Sequence, residues 1–261
     1  MITKNPRKVA ILNRLKILQF VNRFGWLRTR DLACLVWLPS RRGDPGQPPD
    51  FLPASVTSSA LRMAQRTIRS LLASGFLLQT KAPDGALVYS LSQRGADILR
   101  QTGVEAKSGK DLLRAHSIGY YRHRCISNEI GISAWLAGCK FTTENELVRG
   151  DCPYLNKAFG KVPDVLVRHF DHWFWIEVER SRKNQSDYLR LLHWLESINT
   201  KPQDLLTGFP SASVRVIFIC RDAFEKRLRA DLKKRGWSGS QIDTLISFKV
   251  SLYSFEVIPL S

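Results

Sequence analysis

The 261-residue sequence has no apolar run of about 18 residues, so it lacks the pattern that predicts a membrane-spanning helix. Its first residues, Met-Ile-Thr-Lys-Asn-Pro-Arg-Lys, lack the apolar core of a signal peptide. The five cysteines form no C-x-x-C pair, which argues against a zinc site and favours reduced thiols. Together these absences predict a cytoplasmic protein without a membrane span.

Acidic residues are few compared with basic ones. The chain has 40 Lys and Arg against 23 Asp and Glu, which gives a formal net charge of +17. A charge of this sign favours a polyanionic partner, although a generic basic surface produces the same excess. The excess is uneven, because residues 1–104 hold 16 basic and 5 acidic residues. The N-terminal part is therefore the expected docking module for nucleic acid.

The N-terminal part predicts a winged-helix DNA-binding domain over residues 1–103, in which three helices precede a β-hairpin. Residues 39–53, rich in Pro and Gly, predict an insertion that does not pack. The expected elements are helices over 7–24, 27–37 (capped by Thr29) and 59–74, strands over 76–80 and 87–91, and a fourth helix from Ser92 to Arg100.

The third predicted helix has one face suited to a DNA groove. At 100° per residue its apolar side chains fall on the side opposite Arg62. The helix in this position of a winged helix enters the major groove, so this face is the expected DNA-binding surface. An ordinary solvated face is the alternative, but such a face normally includes acids and this one has none. The predicted DNA-binding residues on it are Arg62, Gln65, Arg66 and Arg69.

The second part, residues 110–261, predicts a mixed sheet flanked by helices, so the chain as a whole is of the α/β (α+β) class. A long helix over 110–136 carries Glu129 in its apolar stripe, where a carboxylate needs an arginine or a metal as partner. His116, Tyr120 and His123 share another face, for which surface polarity and DNA contact are equal readings. The remaining expected elements are strands over 140–148, 165–167, 173–179, 214–220 and 248–259, and helices over 186–198 and 223–235.

The stretch from Lys161 to Lys183 contains the candidate catalytic acids. A two-residue loop, Asp171-His172, predicts a hairpin that brings Asp164 close to Glu177 and Glu179. Three converging carboxylates repel one another unless a cation is present, and Mg2+ prefers such oxygen ligands. The alternative is a solvated hairpin face with scattered acids. We expect Glu129 to lie within reach of Asp164 or of its metal.

Pro163-Asp164, a gap of twelve residues and then Glu177-x-Glu179 resemble the P-D…(D/E)-x-K signature of restriction-type nucleases. Glu179 stands in place of the usual lysine, a variant that some restriction endonucleases share. With the N-terminal winged helix, the chain resembles the replication-relaxation family and its MOBC-class plasmid relaxases. That family pairs the acids with a downstream lysine, here Lys183, and its pattern implies a role for His116 on the preceding helix.

The resemblance implies a sequence-specific, metal-dependent nicking enzyme acting on double-stranded DNA at a plasmid transfer or replication origin, with other mobilisation proteins as further candidate partners. Asp164, Glu177 and the carbonyl of Val178 would hold Mg2+ or Mn2+. Glu179 would accept a proton from water, and Lys183 would stabilise the developing negative charge. No H-x-H or H-x-x-x-H cluster supports Tyr188 as a nucleophile. The alternative is a non-catalytic replication initiator or transcriptional regulator whose nuclease fold has decayed.

Overall fold

A computed structural model describes residues 5–40, 49–114, 117–179, 184–209 and 211–256. The fold is mixed α/β with two sheets, as predicted. No helix in these ranges is long and apolar enough to cross a membrane. The helices are α1 (Pro6–Phe24), α2 (Thr29–Trp37), α3 (Ser58–Ala73), α4 (Gln93–Gln101), α5 (Ile118–Leu136), α6 (Glu144–Arg149), α7 (Gln185–Ile198), α8 (Asp222–Lys234) and α9 (Gly239–Leu245). The strands are β1 (Leu27–Arg28), β2 (Leu77–Lys81), β3 (Leu87–Leu91), β4 (Lys140–Thr143), β5 (Val165–His169), β6 (His172–Glu179), β7 (Ser213–Cys220) and β8 (Ile246–Val250).

The N-terminal elements stand in the predicted order, with β2 and β3 forming the hairpin and β1 adding to its edge. The hydroxyl of Thr57 accepts the Ala60 amide and caps α3, and the Ser92 hydroxyl caps α4 in the same way. The predicted cap of α2 at Thr29 is wrong. The cap is Arg28, whose backbone amide donates to the carboxylate of Asp31.

The larger sheet has the order β4-β5-β6-β7-β8, with β4 at one edge. Strands β4, β5 and β6 pair antiparallel, whereas β6, β7 and β8 pair parallel. Both faces of β6 are buried, from Trp173 to Glu179. Phe174, Ile176 and Val178 pack with α5, while Trp173 and Trp175 pack with α7 and α8. This two-sided burial fixes the register of β6 and with it the positions of its acids.

Five predicted segments differ from the structure. The strand predicted over 248–259 is β8, which begins at Ile246 and ends at Val250, before Ser251 with its positive φ of 58°. The helix predicted over 110–136 begins only at Ile118, where the Ser117 hydroxyl caps it. Within 140–148 the strand ends at Thr143, because Thr143 and Glu146 form a capping box that starts α6. The turn between β5 and β6 is Phe170-Asp171, one residue earlier than predicted. In the segment 39–53, which was not expected to pack, Phe51 is fully buried and its carbonyl accepts the Tyr253 hydroxyl.

The N-terminal elements and the larger sheet share one hydrophobic core. It runs from α1, α2 and α3 through α5 to the α5-facing side of β5, β6 and β7. The segment 103–109 between the two predicted domains also packs, since Ala106 is buried and the Gly109 amide donates to the Leu91 carbonyl. The N-terminal elements and the larger sheet are therefore joined by packed side chains, and the boundary between domains 1–103 and 110–261 stays a prediction.

Candidate metal and acid site

Asp164 lies immediately before β5, and its carboxylate joins two other elements. Its Oδ2 accepts the Val178 amide of β6 at 2.7 Å, and its Oδ1 lies 2.8 Å from Nε2 of His123 on α5. The side chain is only 15% exposed and that of His123 is 26% exposed. The carboxylate is thus held in a fixed position at the end of the hairpin, with one edge open to solvent.

Glu177 is held by a lysine and a tryptophan. Lys161 Nζ donates to Oε2 at 2.5 Å, and Trp175 Nε1 donates to Oε1 at 2.6 Å. The ammonium also lies 5.3 Å from the ring centre of Trp194, a cation–π contact. Continuing the β5–β6 register puts Asp164 opposite Glu177, so the sequence-based prediction that these two acids approach each other is supported by the strand pairing.

A third acid comes from α6. Glu144 is the first residue of that helix, and Arg124 of α5 donates to its carboxylate at 2.5 Å. The same arginine donates to the Phe24 carbonyl at the end of α1. Ligand atoms of His123, Glu144 and Asp164 all lie within 4.8 Å of one another. These three residues form a group that could hold a metal ion, and we call it the ligand group.

The neighbouring charges shift the pKa values of His123 and Asp164 in the directions that favour the charged form of each. Burial alone would lower the pKa of His123, but the carboxylate of Asp164 outweighs that effect and raises the pKa above its ordinary value. Burial would raise the pKa of Asp164, yet His123, the Val178 amide and Lys161 lower it. Burial raises the pKa of Glu177, against the opposing effect of Lys161. The site therefore favours an ionised Asp164 beside a protonated His123.

The other residues predicted for this site have mixed outcomes. Glu179 ends β6 and is buried beside the strand pair, 6% exposed. Val178 contributes its amide to Asp164, while a role for its carbonyl in metal binding stays a prediction. Lys183 lies outside the described residues, as does His116. Their predicted roles are therefore neither supported nor opposed by the geometry.

Glu129 does not join the ligand group, so the expectation that it lies near Asp164 or its metal is wrong. Its carboxylate accepts Arg28 Nη2 at 2.6 Å, and the same guanidinium forms two hydrogen bonds with Asp31. All three side chains are at most 9% exposed. The buried carboxylate needed a partner, and the one present is Arg28, which ends β1 and caps α2. We call Arg28, Asp31 and Glu129 the buried triad.

The predicted DNA-binding face of α3 is exposed. Its opposite side is buried through Ala60, Ala64, Ile68 and Leu71. None of the three arginines on the exposed face forms an ion pair with a carboxylate of the described residues, so their charge is available to an anion. The exposed residues are Arg62, Gln65, Arg66 and Arg69, as predicted.

Three residues of the site were not predicted from the sequence. His123 was assigned to a polar face, with surface polarity and DNA contact as equal readings, because nothing local marks the strand end that it meets. Glu144 could have been found, since Thr143-x-x-Glu146 is a capping-box signature and identifies a helix start. Lys161 lies three residues before Asp164 and carries no motif of its own.

Comparisons of the chain with protein-family models, with curated proteins and with solved structures gave no match. The chemistry of the site therefore rests on its geometry. The cluster offers carboxylate oxygens and one imidazole nitrogen to a divalent ion, with a lysine beside them.

Proposed function

We propose that the protein is a sequence-specific, metal-dependent DNA endonuclease that nicks one strand at a plasmid or conjugative-element origin, as a relaxase does. The observation that carries this proposal is the ligand group, in which Asp164, one of the three acids of the nuclease signature, lies beside His123 and Glu144. The basic chain supplies the means to bind DNA, together with the exposed arginines of α3, which form no ion pair with a carboxylate in the described ranges. The proposed target, an origin sequence, and the cleavage of only one strand come from the resemblance to relaxases.

The ligand group fits a divalent ion. The ligand atoms of its three residues all lie within 4.8 Å of one another, a spread close to the roughly 4.2 Å between opposite ligands in an octahedron with bonds near 2.1 Å. An imidazole suits Mn2+ and other transition ions better than Mg2+, whereas the carboxylates suit either. We therefore expect Mn2+ to bind more tightly than Mg2+. The ion would acidify a bound water and neutralise phosphate charge.

Each residue of the cluster has a proposed role. Asp164 would hold the ion, with its orientation set by the Val178 amide. Lys161 would offset negative charge on the phosphate, the task that a lysine at position 179 performs in the usual signature. Glu179 is the proposed acceptor for a proton from the attacking water, and Lys183 remains a candidate for charge stabilisation.

A nicking assay on supercoiled plasmid carrying the cognate origin tests the proposal. The parent protein should convert it to the open circle with Mn2+ and not with a chelator. Asp164→Asn should lose this activity while retaining DNA binding, and Lys161→Met should lose about 10²–10³ in rate if it offsets charge at the phosphate. Glu129→Gln is the matched control, a buried acid outside the ligand group. Intact plasmid under all conditions would reject the enzyme.

The α3 face has its own test. Replacing Arg62, Arg66 and Arg69 by Ala should flatten the salt dependence of duplex binding, by roughly one unit of slope for each phosphate that the variant no longer neutralises. If one of them reads a guanine, specificity at that base should relax by ~1–3 kcal/mol. An unchanged slope and an unchanged site preference would remove α3 from the groove. Substitution of Lys233, exposed on α8, serves as a control for the change in net charge.

A second candidate is a non-catalytic DNA-binding initiator or regulator built on a decayed nuclease fold. One observation favours it: His123 and Lys161 already provide Asp164 and Glu177 with cationic partners, so the cluster needs no metal for its charge balance. This candidate predicts origin binding that ignores Mn2+ and no nicking. The plasmid assay above separates the two.

A further inference from the structure

The far end of the β5–β6 hairpin carries a second unusual surface. Phe170 and Asp171 form the turn, whereas Asp164 precedes β5 at the other end. Six residues of extended chain span roughly 20 Å. The hairpin tip is therefore distinct from the ligand group, and its features need their own explanation.

Two cations face each other near this tip without an acid between them. Lys140 of β4 lies directly opposite Arg168 of β5 in the antiparallel pair. Like charges in such a pair destabilise a sheet. Neither side chain forms an ion pair with a carboxylate of the described residues. A sheet that keeps this repulsion offers two cations to an anion from outside.

Aromatic rings lie beside these cations. The Arg168 guanidinium lies 5.3 Å from the ring centre of Trp173 and 5.0 Å from that of Phe209. Tyr154 packs edge-on against the same two rings and is 44% exposed. Its ring is the part of this aromatic group that solvent reaches most. Cations next to an accessible ring are the combination that binds a nucleic-acid strand with exposed bases.

The turn itself holds an aromatic residue where the backbone favours glycine. Phe170 has a φ of 55°, in the left-handed region. Its side chain is 53% exposed, so burial does not explain the choice of residue. Arg168 Nε donates to the Phe170 carbonyl at 3.0 Å and fixes the turn. The Phe170 ring packs edge-on against that of His169, with ring centres 4.7 Å apart, and keeps more than half of its surface open to solvent. Backbone strain retained at an exposed position points to a role outside the packing of the fold.

We propose that Lys140, Tyr154, Arg168 and Phe170, the tip surface, bind single-stranded DNA, with the two cations on phosphates and the two rings stacked on bases. Base faces are hidden in a duplex, so the exposed rings favour an unpaired strand over paired DNA. This inference rests on the proposed function for its setting: the tip surface would hold one strand of the substrate away from the cleavage site. Binding at the tip itself needs no metal and no cleavage.

Two substitutions should change binding and stability in opposite directions. Lys140→Glu places an acid opposite Arg168, so it should raise the Tm while weakening strand binding. Phe170→Gly removes a ring from a glycine-favouring turn, so the Tm should stay or rise while affinity falls by roughly fivefold to a hundredfold, the effect of one stacked base. Lys233→Glu changes the net charge equally on α8 and is the matched control.

The experiment uses the full chain, a chelator and a fluorescein-labelled twelve-nucleotide oligothymidylate, with binding followed by anisotropy. The parent and Lys233→Glu should bind it alike, and the two tip variants should bind it more weakly, with a smaller change on a twelve-base-pair duplex. Parent-like binding by both tip variants would overturn the proposal, as would an equal loss in Lys233→Glu or on the duplex. A parent that fails to nick plasmid leaves this result unchanged, which separates the two proposals.

Discussion

Two clusters of buried charge each include a residue of α5, and they are built differently. In the buried triad, Arg28 satisfies Asp31 and Glu129, and no side chain is more than 9% exposed. In the ligand group and its neighbours, the acids come from three elements and His123, Glu144 and Lys161 are each between 22% and 26% exposed. The first cluster is closed by its own hydrogen bonds. The second is open along one edge.

The difference shows what distinguishes a structural acid from a candidate ligand. Glu129 and Asp164 are both carboxylates in apolar surroundings, and their local sequence patterns do not tell them apart. Glu129 accepts a hydrogen bond from a guanidinium inside the core. Asp164 meets the imidazole of His123. Once that imidazole loses its proton, a metal ion can take the place of the proton between the two side chains. The two acids share apolar surroundings. What separates their sites is the access of solvent to one edge and a partner that a metal ion can replace.

Breaking the triad should have the largest effect on stability. Arg28→Met leaves two buried carboxylates without a cation, which should cost ~3–5 kcal/mol of unfolding free energy. Denaturant unfolding measures the loss. Arg66→Met on the exposed face of α3 is the control and should change stability by less than about 0.5 kcal/mol. A loss below about 1 kcal/mol for Arg28→Met would mean that the triad is not closed as described.

Changing Asp164 should lower the free energy of unfolding by less than breaking the triad does. Repulsion among three acids alone would instead predict that removing one of them raises it. Because Asp164 already holds His123 and the Val178 amide, Asp164→Asn should lower the metal-free unfolding free energy by roughly 1–3 kcal/mol. Asp151→Asn, in the more exposed pair with Arg149, should cost at most about 1 kcal/mol. If the metal-free Asp164→Asn protein were more stable than the parent, repulsion among the carboxylates would be the dominant effect at this site.

The smallest effect should be a pH dependence specific to the open site. The pKa of His123 is raised in the folded protein, chiefly because Asp164 outweighs the effect of burial. Its stabilisation is therefore complete below the ordinary pKa of about 6.5 and is lost as pH rises through the raised value. Unfolding of the parent relative to His123→Gln, with a chelator present, should show the difference shrinking above neutral pH. The same substitution at His193, which is exposed on α7, is the control.

Local patterns were sufficient for much of the fold. Helix α3 and the β2–β3 hairpin lie within one residue of their predicted bounds, because spacing, caps and turn residues agree there. Segment 110–117 was predicted helical, yet the cap at Ser117 begins a separate helix. Phe51 was placed in an unpacked loop because its neighbours are Pro and Gly, whereas its partner, Tyr253, is about 200 residues away in sequence.

The candidate site was predicted only in part for the same physical reason. Asp164 and Glu177 belong to one hairpin, so the strand register brings them together from local sequence alone. His123, Glu144 and Lys161 come from a helix, a second helix and a loop, and only tertiary packing joins them. Glu129 was assigned to the site because its need for a partner was visible, but the partner, Arg28, lies 101 residues earlier.

The most direct test of the central claim is Mn2+ binding to the full chain at pH 8, measured by calorimetric titration and by thermal unfolding. At a concentration of 100 times its Kd, one bound ion should raise the Tm by roughly 5–10 °C. The account predicts one saturable site in the parent and in Glu129→Gln, no site in Asp164→Asn, and weaker binding at pH 6, where His123 keeps its proton. A parent whose Tm ignores millimolar Mn2+, or an Asp164→Asn variant that binds it equally, would contradict the claim that the open cluster is a metal site.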